Sequence, residues 1–562
     1  AARLAAAVPG EDDELRSSTT TIFVATDGKD TWDGRSPEQP VATLARAATL
    51  AACGGVILLR RGHLWRETMK PLADRLTIGA YGDGALPVIS GADAVVGLSA
   101  SETGQPNRWT APLSRNPAQV FVDGQRGQRM AAASEIAAHG QWYWDATTGV
   151  LTIQGGKDLA PIVEASVRDT GMDLQGRMGM TIRHVRIERA GCDGILARTL
   201  DGSTIEECEV ADCYIAGIQL GGKDLRTNIL IRRNRISNAG CTGIGFGGRL
   251  HNGIIEENEV SACGALTQHV VGGGDGREKS FEWTGGIKIW GWGADGWVGY
   301  FAIRHNTVRG CKPVAWAPKP AQTHGHGIWA DEVLKPSARP EIYGNIVSDC
   351  HANGIYLEKT DDHDVFDNLV YDCAQIRYTA AIQAQSNPFG YDVERDQPDN
   401  NAPRKVSGNR VFHNTAVGGW WSFSVSASSP HCSISNTDVR DNIFVRRNGS
   451  PGWLYLHGGG SNDGVHGSGN LYVNNNFGPE GKGASWVWGK TKHETYKGLE
   501  AASNGAVSAS VPGNPLFVGA NNGDFSLSNA SPCIGRASDG GNLGFRNQGN
   551  ASRATLSWRG FD

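Results

Sequence analysis

The sequence predicts an all-β protein, a right-handed parallel β-helix (a solenoid) with a small inserted β-sandwich near the N-terminus. Short strands of alternating character recur at intervals of 23 to 27 residues from about residue 181 onward, and such a period is typical of a solenoid. Glycine accounts for 76 of 562 residues, about twice the usual share, which indicates many tight turns. A change of rhythm between residues 93 and 165 predicts the insertion.

The chain begins with a polar stretch, and we expect residues 1–18 to be a flexible lead-in. Residues 19–92 are then predicted to form the N-terminal cap and the first coils of the β-helix. A helix is predicted over 41–52, where small and aliphatic residues form an apolar stripe. The predicted strands in this region are short and closely spaced, at 20–25, 56–59, 64–68, 76–82 and 88–91.

Residues 93–165 are predicted to form the inserted β-sandwich-like domain. A strand runs into a turn over 119–124, and residues 141–153 are predicted to form a hairpin. Residues 166–562 are assigned to the main parallel β-helix, with loops on its active face and a C-terminal cap. We expect the last strands of that cap at 513–518 and 524–527.

Two markers define the repeating unit. The first strand of each unit carries an Asn, which is expected to stack coil upon coil and to form ladders of hydrogen bonds at tight bends: Asn234, Asn258, Asn306, Asn345, Asn368, Asn409, Asn442 and Asn470. The second strand opens with Gly-Ile, at positions 194, 217, 243, 286, 327 and 354, with Ala381-Ile382 next. Leucine-rich and helical repeats are excluded because neither the L-x-x-L-x-L pattern nor a helical period is present.

Composition excludes some classes of partner. The net charge is −5 and no basic tract is present, so nucleic acid is not a predicted partner. No apolar run reaches the roughly 18 residues that span a bilayer. The chain starts Ala1-Ala2-Arg3-Leu4 without Met, and we expect a trimmed form of a secreted or periplasmic protein. Most of the 11 Cys lie where one unit ends and the next begins, which favours buried stacking over disulfides.

Aligning the Gly-Ile strands brings polar and aromatic residues into register. The second residue after each Gly is Lys288, Trp329, Tyr356 or Gln383, and the fourth is Trp290, Asp331, Glu358 or Gln385. These two positions face the same way in a strand, whereas the intervening apolar residues point into the coil. The alignment therefore predicts one outer surface lined by these side chains.

Asp331 and Glu358 form the candidate catalytic pair. Adjacent coils are about 4.8 Å apart, so the carboxylates are expected on the order of 5 Å apart; retaining glycosidases use about 5–5.5 Å and inverting ones about 6.5–9.5 Å. Like charges at this distance raise the pKa of one member, as a general acid requires, and Lys288 is placed to hold the other ionised. The alternative is a solvated pair on an exposed face, although like charges opposite each other destabilise a sheet.

Further residues near this pair are candidate ligand contacts. Trp290, Trp292, Trp329 and Tyr356 suit the apolar faces of sugar rings. His324 and His326 would bind a substrate hydroxyl or a metal, although His-x-His alone is a weak metal signal. No cofactor is predicted. A structural calcium ion is possible at the acidic turn after Glu358, which would otherwise be solvated: Asp361, Asp362, Asp364 and Asp367.

Three insertions flank the candidate pair, at about 264–284, between Asn306 and Gly327, and at 386–405. All three lie where the Gly-Ile strands begin or end. In solenoids, insertions on one face commonly build the binding face. The insertions therefore place a binding site over the aligned residues.

Three segments carry a resemblance to a known family: Gly286-Ile287-Lys288, the Gly-Ile-Trp-x-Asp run at 327–331, and Leu357-Glu358. Here the sequence resembles the right-handed β-helical glycoside hydrolases, most nearly the β-xylosidases of glycoside hydrolase family 120. The resemblance implies that Asp331 is the nucleophile and Glu358 the general acid/base. It also implies an oligosaccharide or polysaccharide substrate.

Two other classes of function stay open, because a fold does not decide function. The first is a polysaccharide lyase or epimerase, with Lys288 or Lys359 as base and a cation or Arg377 neutralising a uronate. The second is a non-catalytic glycan-binding β-helix. The sugar, the linkage, exo or endo action and the oligomeric state are open as well.

Overall fold

The structure is a computed structural model that describes residues 20–546, apart from short internal segments. Those segments are 102–104, 157–159, 267, 270–278, 281–283, 293–294, 318–323, 388–389, 393–396, 400–404, 428–431, 447–452, 460–468, 481–485 and 490. The predicted lead-in at 1–18 lies outside the described residues, as does much of the predicted insertions at 264–284, 306–327 and 386–405.

The described chain is a parallel β-helix, as predicted, in which successive coils add parallel strands to three stacked sheets. The site sheet contains the Gly-Ile strands, and its members are Thr170–Asp173, Asp193–Ala197, the first parts of Ala216–Arg232 and Thr242–Glu256, Gly285–Trp290, His326–Asp331, Ile355–Glu358, Ala380–Ser386, Trp421–Ala427, Trp453–Gly459 and Trp486–Trp488.

The second sheet follows the site sheet along each coil. It comprises Thr21–Val24, Val56–Arg60, Thr77–Tyr81, Thr181–Arg183, Thr204–Glu206, the later parts of Ala216–Arg232 and Thr242–Glu256, Phe301–Arg304, Glu341–Tyr343, Asp364–Phe366, Arg410–Phe412, Asp438–Arg440, Leu471–Val473 and Val507–Ser508.

The third sheet closes each coil. It comprises Leu64–Trp65, Val88–Ser90, Arg186–Glu188, Glu209–Ala211, Arg235–Ser237, Glu259–Ser261, Thr307–Arg309, Ile346–Ser348, Leu369–Tyr371, Thr415–Val417 and Ile443–Val445. Apolar side chains from all three sheets fill the interior as one continuous cluster. The alternation of apolar and polar residues along each strand therefore sorts side chains between this core and the outer faces.

An asparagine ladder runs along the bend between the second and third sheets. Each Asn accepts a backbone N–H bond from the preceding member through its side-chain oxygen, in the order Asn234, Asn258, Asn306, Asn345, Asn368, Asn414, Asn442 and Asn475. The prediction was wrong for Asn409 and Asn470, which precede their strands and accept instead from the backbone of His363 and Thr437. These buried amides satisfy groups that would otherwise lack partners.

Close packing explains the Gly of the Gly-Ile marker. A Cβ at Gly327 would lie 2.4 Å from Val347 Cγ1, 2.5 Å from the Gly354 carbonyl oxygen and 3.2 Å from Cys350 Sγ. The described cysteines are all free, and most are buried, as the sequence predicted. Cysteine therefore serves here as a small packing residue beside the glycines.

The N-terminal coils agree with the prediction. The helix Leu44–Leu50 begins at the capping residue Thr43, whose side chain accepts a hydrogen bond from the Arg46 N–H, and it buries Leu44, Ala47 and Ala48. The other helices in the part of the chain that the structure describes are Tyr496–Ala502 and the short 3₁₀ helices Ala133–Glu135 and Ala520–Asn522. No helix among the described residues is long and apolar enough to cross a membrane.

Two small sheets lie within the predicted insertion at 93–165. One contains Ala92–Ala94, Val120–Val122, Gln125–Arg126 and Val163–Ser166, and the other Ser99–Ala100, Arg108–Pro112, Gln128–Arg129, Gln141–Asp145 and Val150–Gln154. The predicted hairpin pairs Gln141–Asp145 with Val150–Gln154. Both sheets contribute to one core that includes Val120, Trp142 and Leu151. The exact domain boundaries stay a prediction.

The remaining strands are short additions to the solenoid. They pair as Gln268–His269 with Lys279–Ser280, Gly390–Asp392 with Gln397–Asp399, Lys405–Ser407 with Ser433–Ser435, and Thr491–His493 with Trp486–Trp488. The predicted last strands are observed as the antiparallel pair Phe517–Gly519 and Asp524–Leu527. Phe525 packs with Ile346 and Leu369, so this segment covers part of the third sheet.

Candidate active site

The predicted register of the Gly-Ile strands is observed. Asp331 lies opposite Trp290 on one neighbouring strand and opposite Glu358 on the other, and Glu358 lies opposite Gln385. Two residues earlier along the same four strands, the residues that lie opposite one another are Lys288, Trp329, Tyr356 and Gln383. The predicted site residues on these strands therefore share one face of the site sheet, away from the coil interior.

The residues line an outer face of the coil, as predicted, but most of their side chains are buried and not exposed to solvent. Asp331 is 6% exposed and Glu358 is 8% exposed, so they are not a solvated pair. Trp329, Tyr356 and Gln383 are buried as well. Burying a charge that has no partner of opposite charge costs free energy. The cations around the two carboxyl groups therefore decide whether both can be charged.

Two lysines compensate the acidic residues. Lys288 Nζ lies 3.1 Å from Asp331 Oδ2. Lys359 Nζ lies 3.6 Å from Asp331 Oδ1, 3.3 Å from Glu358 Oε1 and 3.1 Å from Glu332 Oε1. Asp331 and Glu358 therefore share the ammonium group of Lys359. The distance between Asp331 Oδ1 and Glu358 Oε1 is at most the sum of their two distances to Lys359 Nζ.

The environment of Glu358 favours its protonated form. Burial is the largest cause that raises its pKa, and the charge of Asp331 adds to the rise, whereas Lys359 and a hydrogen bond from Asn387 oppose it. Glu332 behaves similarly, since burial and then Asp331 raise its pKa. Asp331 differs from Glu358 because it contacts both lysines.

Aromatic rings surround the ammonium group of Lys288. Its Nζ lies 3.6 Å from the centre of the Trp329 ring and 5.7 Å from that of Trp290. The Trp329 ring centre is 5.5 Å from that of Tyr356. Trp292 lies 5.5 Å from Trp290, beyond the end of the strand. These rings give the site an apolar wall beside its charged groups.

The two histidines take up structural contacts. His324 donates from Nε2 to the Gly264 carbonyl oxygen at 2.8 Å. His326 accepts from the Asn353 N–H at 3.2 Å through Nδ1, and its ring stacks on Tyr356 at 4.9 Å. The described residues contain no group of three or more His, Cys, Asp or Glu placed to hold a metal ion. A substrate contact by either histidine stays a prediction.

The two glutamines have different surroundings. Gln385 accepts a hydrogen bond from the Tyr356 hydroxyl, which links it to the aromatic group. Gln383 is buried and lies opposite Tyr356 on the neighbouring strand. Both glutamines lie on the coil that follows Glu358, so they extend the polar face toward the C-terminus.

Two residues of the site, Glu332 and Asn387, escaped the sequence argument, and Lys359 entered it only as a candidate base of the lyase or epimerase alternative. Glu332 and Lys359 directly follow the two carboxylates, with φ values of 52° and 51° in the left-handed region. Asn387 donates to Glu358 Oε1. The sequence contains a pattern that could have found Glu332, because Asp331-Glu332 and Glu358-Lys359 occupy the same register. The alignment of the Gly-Ile strands did not extend past the strand ends, so it left this pattern out.

The acidic turn after Glu358 is held by hydrogen bonds within the protein, and a calcium ion at this turn stays a prediction. Arg339 Nε donates to Asp364 Oδ1 and its Nη1 to Asp362 Oδ1, each at 2.9 Å. Asp361 accepts from the backbone of Ser407 at 2.7 Å. The expectation of a solvated turn holds only in part, because arginine and backbone donors reach these carboxylates while the Asp362 side chain stays 46% exposed.

Comparison with known proteins identifies the fold. The family described as "Right handed beta helix region" matches residues 144–312. XylC, solved in complex with xylose, has a TM-score of 0.54 at 13% identity, covering 89% of this chain and 87% of XylC. The chain is a right-handed parallel β-helix. No curated protein matches the sequence significantly.

Other solved structures share less of the geometry. A lacto-N-biosidase of glycoside hydrolase family 136 from Eubacterium ramulus has a TM-score of 0.41 at 14% identity, covering 80% of this chain and 67% of its own. Pectate lyase Pel9A has a TM-score of 0.39 at 11% identity, covering 75% of this chain and 80% of its own. At these identities, similarity assigns no residue a role.

Proposed function

We propose that this protein is a carbohydrate-active enzyme, a retaining glycoside hydrolase that acts on an oligosaccharide or polysaccharide. The observation that carries the proposal is the buried carboxylate pair on adjacent coils. Asp331 contacts two ammonium groups, whereas burial raises the pKa of Glu358. A carboxylate that contacts two cations is suited to act as a nucleophile, and a buried carboxyl group with a raised pKa is suited to act as a general acid.

In the first step, Asp331 attacks the anomeric carbon and forms a glycosyl ester while the glycosidic bond breaks. Glu358 gives its proton to the departing oxygen, so that the leaving group departs as a neutral alcohol. In the second step, the Glu358 carboxylate takes a proton from water, and that water displaces Asp331. The adjacent-strand spacing of about 4.8 Å supports the short carboxyl separation of a retaining mechanism over the longer one of an inverting mechanism.

The substrate class follows from the wall of the site. Trp290 and Trp292 lie beside the charged group, and aromatic faces suit the C–H faces of sugar rings. The shared fold with XylC, which was solved with xylose, makes β-xylosides the first substrates to test. A β-xylosidase-like activity also agrees with the sequence resemblance at Lys288, Asp331 and Glu358.

The lyase or epimerase alternative needs a neutral base. Burial lowers the pKa of Lys359, but Asp331, Glu358 and Glu332 together raise it above its ordinary value. Lys288 is paired with Asp331. Arg377, the proposed uronate ligand, is exposed and lies over the Tyr378 ring. These contacts favour the hydrolase.

Covalent trapping tests the proposal. A fluorinated β-xyloside inactivator should form a stable ester with Asp331, identified by peptide mass spectrometry, because it slows the second step more than the first. The Asp331→Asn variant should form no ester, and its kcat/KM on an aryl β-xyloside should fall about 10⁴-fold. Glu256→Gln is the matched control, since Glu256 pairs with Arg304 on the second sheet and should leave activity unchanged.

Other products would contradict this assignment. An inverted anomer by NMR would exclude the retaining mechanism. An unsaturated uronate whose formation is lost in Lys288→Ala, but kept in Glu358→Gln, would replace the hydrolase with a lyase. Full activity of Asp331→Asn on every glycan cleaved by the wild type would remove the nucleophile from the proposal.

The pH dependence has a defined sign. Glu358 acts in the protonated form and its pKa is raised by burial above the ordinary 4.5, so kcat/KM should decline only at pH above that raised value. Glu358→Gln should abolish this basic limb when the rate is measured with an activated aryl leaving group. A basic limb that persists unchanged in this variant would assign the general acid to another residue.

A further inference from the structure

Lys359 occupies a distinctive position among the charged groups of the site. Its Nζ lies between the two proposed reacting carboxylates, 3.6 Å from Asp331 and 3.3 Å from Glu358. Lys288, by contrast, pairs with Asp331 and lies over Trp329. The two lysines therefore differ in which carboxylates they contact.

A third carboxylate also contacts that ammonium group. Glu332 Oε1 lies 3.1 Å from Lys359 Nζ, and Glu332 Oε2 accepts a hydrogen bond from Trp290 Nε1 at 3.0 Å. Both Glu332 and Lys359 are buried. Each oxygen of Glu332 thus has a different partner, and the side chain holds a defined position.

The backbone explains how these side chains reach the site. After Asp331 and Glu358 the chain enters the left-handed region at Glu332 and Lys359. The coils stay in register there, since the Glu332 N–H bonds to the Glu358 carbonyl and the Lys359 N–H to the Gln385 carbonyl. Left-handed backbone recurs at non-glycine residues on many coils of this solenoid, so Glu332 and Lys359 follow a conformation that the fold uses repeatedly.

We infer that Lys359, held in place by Glu332, is a positioning residue that keeps one cation beside the negative charge as it moves from Asp331 to Glu358. The inference rests on the proposed function. When the ester forms, Asp331 loses its charge, and Glu358 gains one because its proton leaves with the alcohol. The charge moves by one coil, and Lys359 contacts both end points without rearranging.

A fixed cation is efficient because it needs no reorganisation during the reaction. A cation that contacted Asp331 alone would stabilise the resting enzyme more than the ester intermediate, and would slow the first step. Lys288 has that geometry, so the two lysines have separate roles. Lys288 contacts the proposed nucleophile alone, and Lys359 contacts both carboxylates.

The test compares Lys359→Met with Lys335→Met in the full-length chain. Lys335 is a matched control because its side chain is 74% exposed and pairs with Asp295. In Lys359→Met, kcat should fall about 10²-fold with little change in KM on an aryl β-xyloside. Its basic limb should move to higher pH, because Lys359 lowers the pKa of Glu358 while burial, Asp331 and Lys288 still act on it. Lys335→Met should show neither change.

Two further variants separate positioning from general destabilisation. Lys359→Arg keeps the charge, so it should keep the basic limb in place and retain more activity than Lys359→Met. Glu332→Gln keeps an acceptor for Trp290 but removes the charge that holds Lys359, and its kcat should fall about 10-fold at constant KM. Methylammonium should restore part of the rate of Lys359→Met.

The outcomes distinguish the inference from the function it rests on. If wild-type protein forms no trapped ester with any glycoside, the proposed function fails. If the ester forms but Lys359→Met has wild-type kcat and an unmoved basic limb, the function stands and the inference is overturned. If Lys359→Met does not fold, Glu332→Gln decides, and a wild-type kcat in that variant overturns the inference.

Discussion

Asp364, on the second sheet, provides a contrast with Glu358, which ends the preceding strand of the same coil, on the site sheet. Both are buried carboxylates on the outer face of the same coil. Burial raises the pKa of Asp364 as well, but hydrogen bonds from Arg410 and Arg339 outweigh it and the net pKa is lowered. For Glu358 the net pKa is raised.

The difference lies in the balance of charge, because burial acts on both residues in the same direction. Asp364 bonds to two arginines, whose side chains are partly exposed to water. Glu358 shares Lys359 with Asp331 and Glu332. Excess cation makes a carboxylate a structural anchor, whereas excess acid leaves one carboxylate with a proton to give.

The largest expected effect is the loss of the general acid. Glu358→Gln should lower kcat/KM about 10³-fold on substrates with a poor leaving group, and less on an aryl glycoside whose phenol departs without protonation. Azide should restore turnover of the aryl glycoside by replacing the activated water. Asp364→Asn is the matched variant and should leave both rates unchanged; a comparable loss there would end the functional distinction between the two residues.

The second-largest expected effect is on stability, and here Asp364 is the residue whose substitution matters. Asp364→Asn should lower the free energy of unfolding by about 2 kcal/mol at neutral pH, because it removes charged hydrogen bonds. The folded-state pKa of Asp364 is lowered from 3.8, so its contribution is complete above that value and is lost as the pH falls through the lowered pKa.

Urea unfolding followed by tryptophan fluorescence, at neutral and at acidic pH, measures this difference. The wild type and Asp364→Asn should converge in acid. A difference that stays constant down to the lowest pH at which the protein folds would mean that the charge of Asp364 contributes nothing to stability.

The smallest effect concerns an exposed pair on the same sheet. Arg440 donates to Asp438, and both side chains are partly exposed to solvent. Arg440→Ala should therefore change the free energy of unfolding by less than about 1 kcal/mol. A loss as large as that of Asp364→Asn, in the same urea experiment, would show that burial is not what separates the two pairs.

Much of the fold could be predicted from the sequence because each coil of a solenoid repeats the same local pattern of residues. Gly327 and Gly354 mark strands that pair in register, and the Asn at 345 and 368 form neighbouring steps of one ladder. Asn409 misled the argument because it precedes its strand, where an identical side chain serves a different bend. Such marker residues report the period well but do not distinguish between bends.

The residues of the site could be predicted from the sequence only where they lie on strands. Register predicted the contacts among Lys288, Asp331 and Glu358, because a period of two sets the face of each side chain. Glu332 and Lys359 follow the strand ends in left-handed conformations. No simple periodicity predicts which way a side chain points there. Asn387 reaches Glu358 from the next coil, and no spacing rule relates the two.

The sequence by itself determined the coil, its period and the register that pairs Asp331 with Glu358, since these follow from alternation and from close packing at glycine. Only the tertiary structure decided that the pair is buried and which cations reach it. Burial and charge compensation depend on side chains from several coils converging at one place. Two buried carboxyl groups of one coil therefore have pKa values shifted in opposite directions, according to the neighbours that folding supplies.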